Sequence, residues 1–125
     1  MLARTASDTL SRLARGFPIL ALTGPRQSGK TTLARAIFPN KPYISLENPD
    51  EREFADQDPR RFLSRFPDGA VLDEVQHCPA LFSWLQGTVD ERKRMGDFIL
   101  TGSAQFDLIA GVIQTAIPIL CTFWG

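Results

Sequence analysis

Apolar and polar positions alternate along this chain in short blocks. Pro18-Ile19-Leu20-Ala21-Leu22-Thr23 is a continuous apolar run, the pattern of a short strand buried on both faces. Leu33, Ala34 and Ile37 then recur on one face of a helix that stops near Phe38-Pro39-Asn40. Tyr43-Ile44-Ser45-Leu46 predicts a second strand. Asn48-Pro49-Asp50-Glu51 reads as a helix start, with Asn48 as cap, Pro49 at the first position and acids in the first turn. Asp58-Pro59 repeats that signal for a short helix turning Phe62 and Phe66 inward, and Pro67-Asp68-Gly69 is a turn.

Ala70-Val71-Leu72-Asp73-Glu74 predicts a third strand that ends in two acids. A helix starting at Pro79 has Leu81, Phe82, Leu85 and Val89 on its buried face, and residues 90–94 form its charged, solvated end. Phe98-Ile99-Leu100-Thr101 predicts a fourth strand, followed by Gly102-Ser103 and a short helix through Phe106 and Ile109. Strands alternating with helices imply an α/β fold with a mainly parallel sheet, whose ligands bind at the C-terminal ends of strands. The pair Asp73-Glu74 falls at such an end.

The two ends of the sequence read differently. In residues 1–17, Thr5 and Asp8 resemble a capping box, and Leu10, Leu13, Ala14 and Phe17 form a helical stripe. The same stretch is rich in Arg, Ser and Leu with one acid, which also suits a mitochondrial presequence; a helix packed beside the first strand is the favoured reading. Residues 108–125 carry no charge and are apolar but broken by Gly111, Gln114, Thr115 and Pro118. A membrane span needs ~20 mainly apolar residues, so a final strand over 117–123 is expected instead. No helical pattern follows Ile117, Ile119, Leu120, Phe123 and Trp124, so this tail is expected to meet a protein partner or a second copy.

The 125 residues suffice for one domain, with 114–125 as a divergent tail. Formal net charge is zero, and the eleven Arg and three Lys are scattered, so nothing points to nucleic acid. Cys78 and Cys121 match no metal spacing, and His77 beside Cys78 has no second ligand pair, so no metal is expected there. No secretory signal precedes them, so reduced thiols in the cytoplasm are expected. Trp84 and Trp124 are expected to pack.

The chemistry concentrates in Gly24-Pro25-Arg26-Gln27-Ser28-Gly29-Lys30-Thr31, which fits the phosphate-binding pattern G-x-x-x-x-G-K-[ST]. It lies between a predicted strand and a predicted helix, where free N–H groups and the positive end of the helix dipole face an anion. Gly24 and Gly29 let the backbone curl around a triphosphate, Lys30 reaches the β- and γ-phosphates, and the Thr31 hydroxyl holds Mg²⁺. Arg26 occupies a free position of the loop and points to solvent or a partner subunit. Asp73 ends an apolar strand 43 residues after Lys30, where a Walker B carboxylate that serves Mg²⁺ belongs. Glu74 beside it is the candidate general base for the attacking water. Neighbours on a strand point to opposite sides, so the two acids play different roles only where strand gives way to loop. Thr101 and Ser103 are candidates to hydrogen-bond that water or the γ-phosphate, with a helix cap the alternative for Ser103. Glu47 is placed to face the same cleft, whereas capping accounts for Asn48. A guanine-selecting Asn-Lys-x-Asp is missing, since Asn40-Lys41-Pro42-Tyr43 lacks the acid, so ATP is the expected nucleotide.

With these residues in place the chain resembles the AAA-type P-loop ATPases of bacteria and archaea, in particular the family whose full members join an ATPase domain to a DUF4143 domain. The resemblance rests on Leu22 through Thr32, on Tyr43-Ile44-Ser45-Leu46-Glu47-Asn48-Pro49-Asp50, on Leu72-Asp73-Glu74-Val75-Gln76 and on Ile99-Leu100-Thr101-Gly102-Ser103. It implies a three-layer P-loop NTPase fold. Gly24, Pro25, Arg26, Gln27, Ser28, Gly29, Lys30, Thr31 and Thr32 would bind ATP, Thr31 and Asp73 would hold Mg²⁺, Glu74 would be catalytic, and Thr101 to Ser103 would act as sensor. After Ile113 the likeness ends: the family's Leu-Ala-Gly-Arg segment is replaced, and no basic residue follows Arg94. This implies a C-terminally incomplete member in which binding outlasts turnover, because such an arginine is worth ~10³–10⁵ in rate. Three functions follow: an ATPase slow on its own, a non-catalytic nucleotide-binding interaction module, or a small-molecule kinase. Glu74 favours the first over the third, and the missing arginine favours the second over the first.

Overall fold

A computed structural model describes residues 12, 15–23, 29–102 and 119–123, with backbone alone for 23, 30 and 119–123. Among the described residues five strands lie in one sheet: β1 (Ile19–Thr23), β2 (Tyr43–Ser45), β3 (Ala70–Asp73), β4 (Phe98–Gly102) and β5 (Ile119–Phe123). Their spatial order is β2-β3-β4-β1-β5, and every adjacent pair is parallel. Between β1 and β4 the described residues form four α-helices: α1 (Lys30–Ile37), α2 (Pro49–Gln57), α3 (Pro59–Ser64) and α4 (Leu81–Arg92). A 3₁₀ turn, Val75–His77, separates β3 from α4.

Alternation along the central strands sorts residues to two cores. On one face Leu20 and Leu22, Val71 and Ile99 pack with Leu33 and Ala34 of α1, flanked by Phe17, Ile37 and Tyr43. On the other, Ile19, Ala21, Leu72, Phe98 and Leu100 pack with Phe62 of α3 and with Leu81, Phe82, Leu85 and Val89 of α4. The sheet is therefore covered by helices on both faces, as an all-parallel sheet requires, because crossover helices must bury what its strands expose. Phe62 lies at the centre of the second core with edge-to-face contacts to Phe54 and Phe66, whose ring centroids stand 5.8 and 5.5 Å away.

The caps act as their sequences predict. The Asn48 side chain accepts from the Asp50 N–H at 2.9 Å with Pro49 at the first helical position, and Asp58 accepts from the Arg61 N–H at 3.2 Å. The final strand is described over Ile119–Phe123, hydrogen-bonded beside β1. Trp84 departs from the expectation that it packs: it is 45% exposed. The buried residues of α4 span an arc from Leu81 to Phe82, and Trp84 falls about 60° outside it at 100° per residue. The helix expected from Pro79 begins at Leu81, after a turn through Pro79 and Ala80. Most of the helix read over residues 1–17 (all but 12 and 15–17), the short helix through Phe106 and Ile109, Ser103, Cys121 as a side chain and Trp124 lie outside what is described.

Candidate functional site

Two residues beyond Val71 and Ile99, on the same sheet face, come Asp73 and Thr101. Strand periodicity of two thus carries the α1 face from apolar to polar at the C-terminal edge. Register sets Ser45 beside Asp73 and Leu72 beside Leu100, so β2, β3 and β4 end together. The Asp73 carboxylate, 8% exposed, accepts from three hydroxyls. Thr31, in the first turn of α1, donates to Oδ1 at 3.0 Å. Tyr43 of β2 donates to Oδ2 at 2.6 Å, and Thr101 of β4 donates to Oδ1. Residues from one helix and two neighbouring strands therefore converge on the carboxylate that ends β3.

Thr31 and Asp73, expected to share a cation, are hydrogen-bonded directly to each other. Thr101 behaves otherwise than as a free polar side chain at the strand end: fully buried, it commits its proton to Asp73. Tyr43 was not singled out from the sequence, because a tyrosine in a half-buried strand reads as packing. Its ring does pack, under the Arg35 guanidinium at 4.6 Å from the ring centre, while its hydroxyl reaches Asp73. Burial, then the bond to Asp73, pushes its phenol up to about 12, so it remains a donor at any physiological pH. A signal was available in the register: Tyr43 stands two residues before Ser45, on the face that Asp73 occupies.

At the N-terminus of α1, Gly29 has φ 88°, and its carbonyl accepts the first helical bond from Leu33 at 2.9 Å. That left-handed conformation suits glycine. The first turn of α1 holds no acid, so nothing on the helix offsets the positive end of its dipole. A cavity of about 550 Å³ opens beside Thr31 and Thr32 and runs along Arg35, Lys41 and Tyr43. Residues 24–28, which include Gly24, Pro25, Arg26, Gln27 and Ser28, lie outside what is described, as does the Lys30 side chain.

Glu74 leaves the strand at once. Its φ of 55° and ψ of 48° are left-handed, a conformation that costs a non-glycine residue about 1–2 kcal/mol. That twist parts Glu74 from Asp73 at the point where strand becomes loop. Glu74 is 5% exposed, and the Gln76 amide donates to its Oε2 at 2.6 Å. Glu47, which follows β2, comes to the same place: one ligand atom each from Glu47, Glu74 and His77 lie within 4.8 Å of one another. His77, for which no metal was expected, stands beside two carboxylates. They sit 30 and three residues away in sequence, and the distant Glu47 is brought in only by the pairing of β2 with β3. Cys78, beside it, is a buried thiol pushed up to about 11 by desolvation.

Residues 16–116 match the sequence profile of the AAA domain family. The chain belongs to the AAA domain family. Over 109 residues this AAA domain is 38% identical to uncharacterized proteins of Mycobacterium bovis and Mycobacterium tuberculosis, covering 85% of its own length. It spans 24% of the length of those relatives. Among solved structures it is similar to a Walker-type ATPase of Pyrococcus abyssi, with a TM-score of 0.59 and 15% identity over 94% of this chain and 52% of that one. The fold is that of the P-loop NTPases. As an AAA-type domain it has a nucleotide-binding, ATPase-like function in general terms. Among the described residues no helix is long and apolar enough to cross a membrane.

Proposed function

We propose that this AAA domain binds Mg-ATP and hydrolyses it to ADP and phosphate. The observation that carries the reading is the Asp73 carboxylate, held by Thr31, Tyr43 and Thr101 at the edge where α1 begins. A second support is the likeness to a structure described as a Walker-type ATPase.

The sequence Gly24 to Thr32 supplies the phosphate cradle, with Lys30 against the β- and γ-phosphates. The donor set at Thr31 and Asp73 is oxygen only, a hydroxyl and a carboxylate, which suits a hard divalent cation. Bound there, Mg²⁺ would neutralise charge on the β- and γ-phosphate oxygens. Tyr43 and Thr101 orient Asp73 from behind and keep its lone pairs aimed. Glu74, turned away from Asp73, takes a proton from the attacking water, and its burial excludes bulk solvent from the carboxylate. A kinase needs no water-directed base, so Glu74 favours hydrolysis over transfer to a small molecule. The 125 residues form one ATP-handling unit, and the chain meets protein partners or its own copies through the apolar tail. Its compartment is the cytoplasm.

The test reads cation dependence. Asp73→Asn should leave ATP affinity without Mg²⁺ near the parent's and abolish the gain on adding Mg²⁺. Outer partners of a metal-ligating group are worth roughly 10–100-fold, so Tyr43→Phe should weaken apparent Mg²⁺ affinity about tenfold. Calorimetric titrations at fixed nucleotide measure both. A Mg²⁺ response unchanged in Asp73→Asn would remove Asp73 from the cation site.

A further inference from the structure

We propose that Glu47, Glu74 and His77 form a binding site for a divalent transition metal such as Zn²⁺, separate from the Thr31 and Asp73 oxygens. The three side chains come from different points of the chain but are brought together by fixed backbone. The Leu46 N–H donates to the Asp73 carbonyl at 2.9 Å, which holds the exits of β2 and β3 side by side. Glu47 and Glu74 are the next residues along each. The His77 N–H then donates to the Glu74 carbonyl at 3.2 Å, so the 3₁₀ turn brings the imidazole back over Glu74.

One ligand atom from each residue lies within 4.8 Å of the other two. Around a tetrahedral Zn²⁺ with bonds of ~2.0–2.2 Å, ligand atoms stand roughly 3.4 Å apart. The buried Glu74 is the anchor, and Glu47 and His77 are exposed and close the gap by side-chain rotation. Three protein ligands leave a fourth position for water, the arrangement of an open zinc site. The imidazole sets the metal class: nitrogen with carboxylates favours zinc and its neighbours, whereas Mg²⁺ and Ca²⁺ take oxygen ligands. Gln76 donates to Glu74 Oε2 at 2.6 Å and acts as the outer partner that orients this ligand. A carboxylate has about four acceptor positions, so amide and metal share it. Cys78 is not part of the set. Its thiol is buried, pushed up to about 11, and donates to the Arg52 carbonyl at 3.6 Å.

Metal on Glu74 occupies the lone pair that would accept the proton of water. The loaded site is thus an off state of the base. That consequence rests on the role of Glu74 argued above; the binding itself does not.

The experiment is calorimetric titration of the nucleotide-free chain with Zn²⁺ near neutral pH, paired with visible spectra of the Co²⁺ complex. The parent should bind one equivalent. His77 is the one histidine of the chain, so His77→Ala removes its whole imidazole content. His77→Ala and Glu47→Gln should each weaken binding at least about tenfold, since even outer partners are worth that much. Cys78→Ser should bind as the parent does, and the Co²⁺ complex should lack a thiolate charge-transfer band. Glu47 and His77 are exposed, so both variants should keep the parent's circular dichroism. No zinc uptake by the parent, undiminished uptake by His77→Ala or Glu47→Gln, or a thiolate band would each overturn the site.

Discussion

Glu74→Gln is expected to lower ATP turnover by at least ~100-fold, the low end of what a positioned general base supplies. The glutamine keeps the size of the side chain and its acceptor oxygen, so the Gln76 contact and the buried packing persist. What it loses is basicity. ATP and Mg²⁺ contact other residues in this account, so nucleotide affinity should stay within about twofold of the parent. Steady-state phosphate release and calorimetry, read on the same preparation, separate the two effects. Unchanged turnover would show that water is activated elsewhere and that Glu74 is structural. Loss of affinity in parallel with turnover would place Glu74 in nucleotide binding instead.

The second large effect is on folding. Gly69→Ala should leave little or no folded protein. Gly69 has φ +84°, a conformation that penalises any side chain. An added Cβ there would lie 1.6 Å from the Asp97 backbone oxygen, where no rotamer change relieves the overlap. The two residues precede Ala70 and Phe98, which are in register, so any retreat would pull β3 from β4 in the middle of the sheet. Asp97 is itself fixed. Its carboxylate, 2% exposed, pairs with Arg92 and Arg94 at 3.2 and 3.3 Å, and its carbonyl accepts from Lys41 at 3.0 Å. Most substitutions cost below about 3 kcal/mol, but a backbone overlap belongs with the rare class above 4–5 kcal/mol. Domains are stable by only about 5–15 kcal/mol, so such a loss empties most of the native population. Urea unfolding followed by circular dichroism, with Gly87→Ala as control, checks it: a Cβ at Gly87 meets nothing within 4 Å. Equal midpoints in the two variants would mean that the β3–β4 entrance is not held as described.

Much of this architecture was legible because its strands are buried on both faces. Continuous runs such as Ile19 to Leu22 and Ala70 to Leu72 have few other solutions once proline and glycine signals bracket them. The caps at Asn48 and Asp58 were equally plain, since cap, proline and acids stand together in sequence. Thr31 and Asp73 could be paired because motif spacing encodes their meeting. Tyr43 and the grouping of Glu47 with His77 were hidden for the opposite reason. Their meaning depends on strand order and register, and single-sequence patterns do not specify which strands lie side by side. Trp84 shows a limit of composition as a guide. A large aromatic residue on an amphipathic helix is buried only if its angle falls inside the stripe. The phosphate loop is proposed from sequence alone, since residues 24–28 lie outside what the structure describes.

We propose that the chain from Gly24 to Thr31 is a phosphate cradle serving ATP. Calorimetric titration of the parent and of Lys30→Ala with Mg-ATP tests it most directly. A phosphate cradle gives a single site in the parent, with a dissociation constant in the range of roughly 1 μM to 1 mM typical of enzyme substrates, and no measurable binding in Lys30→Ala. Equal affinity in the two proteins would contradict it.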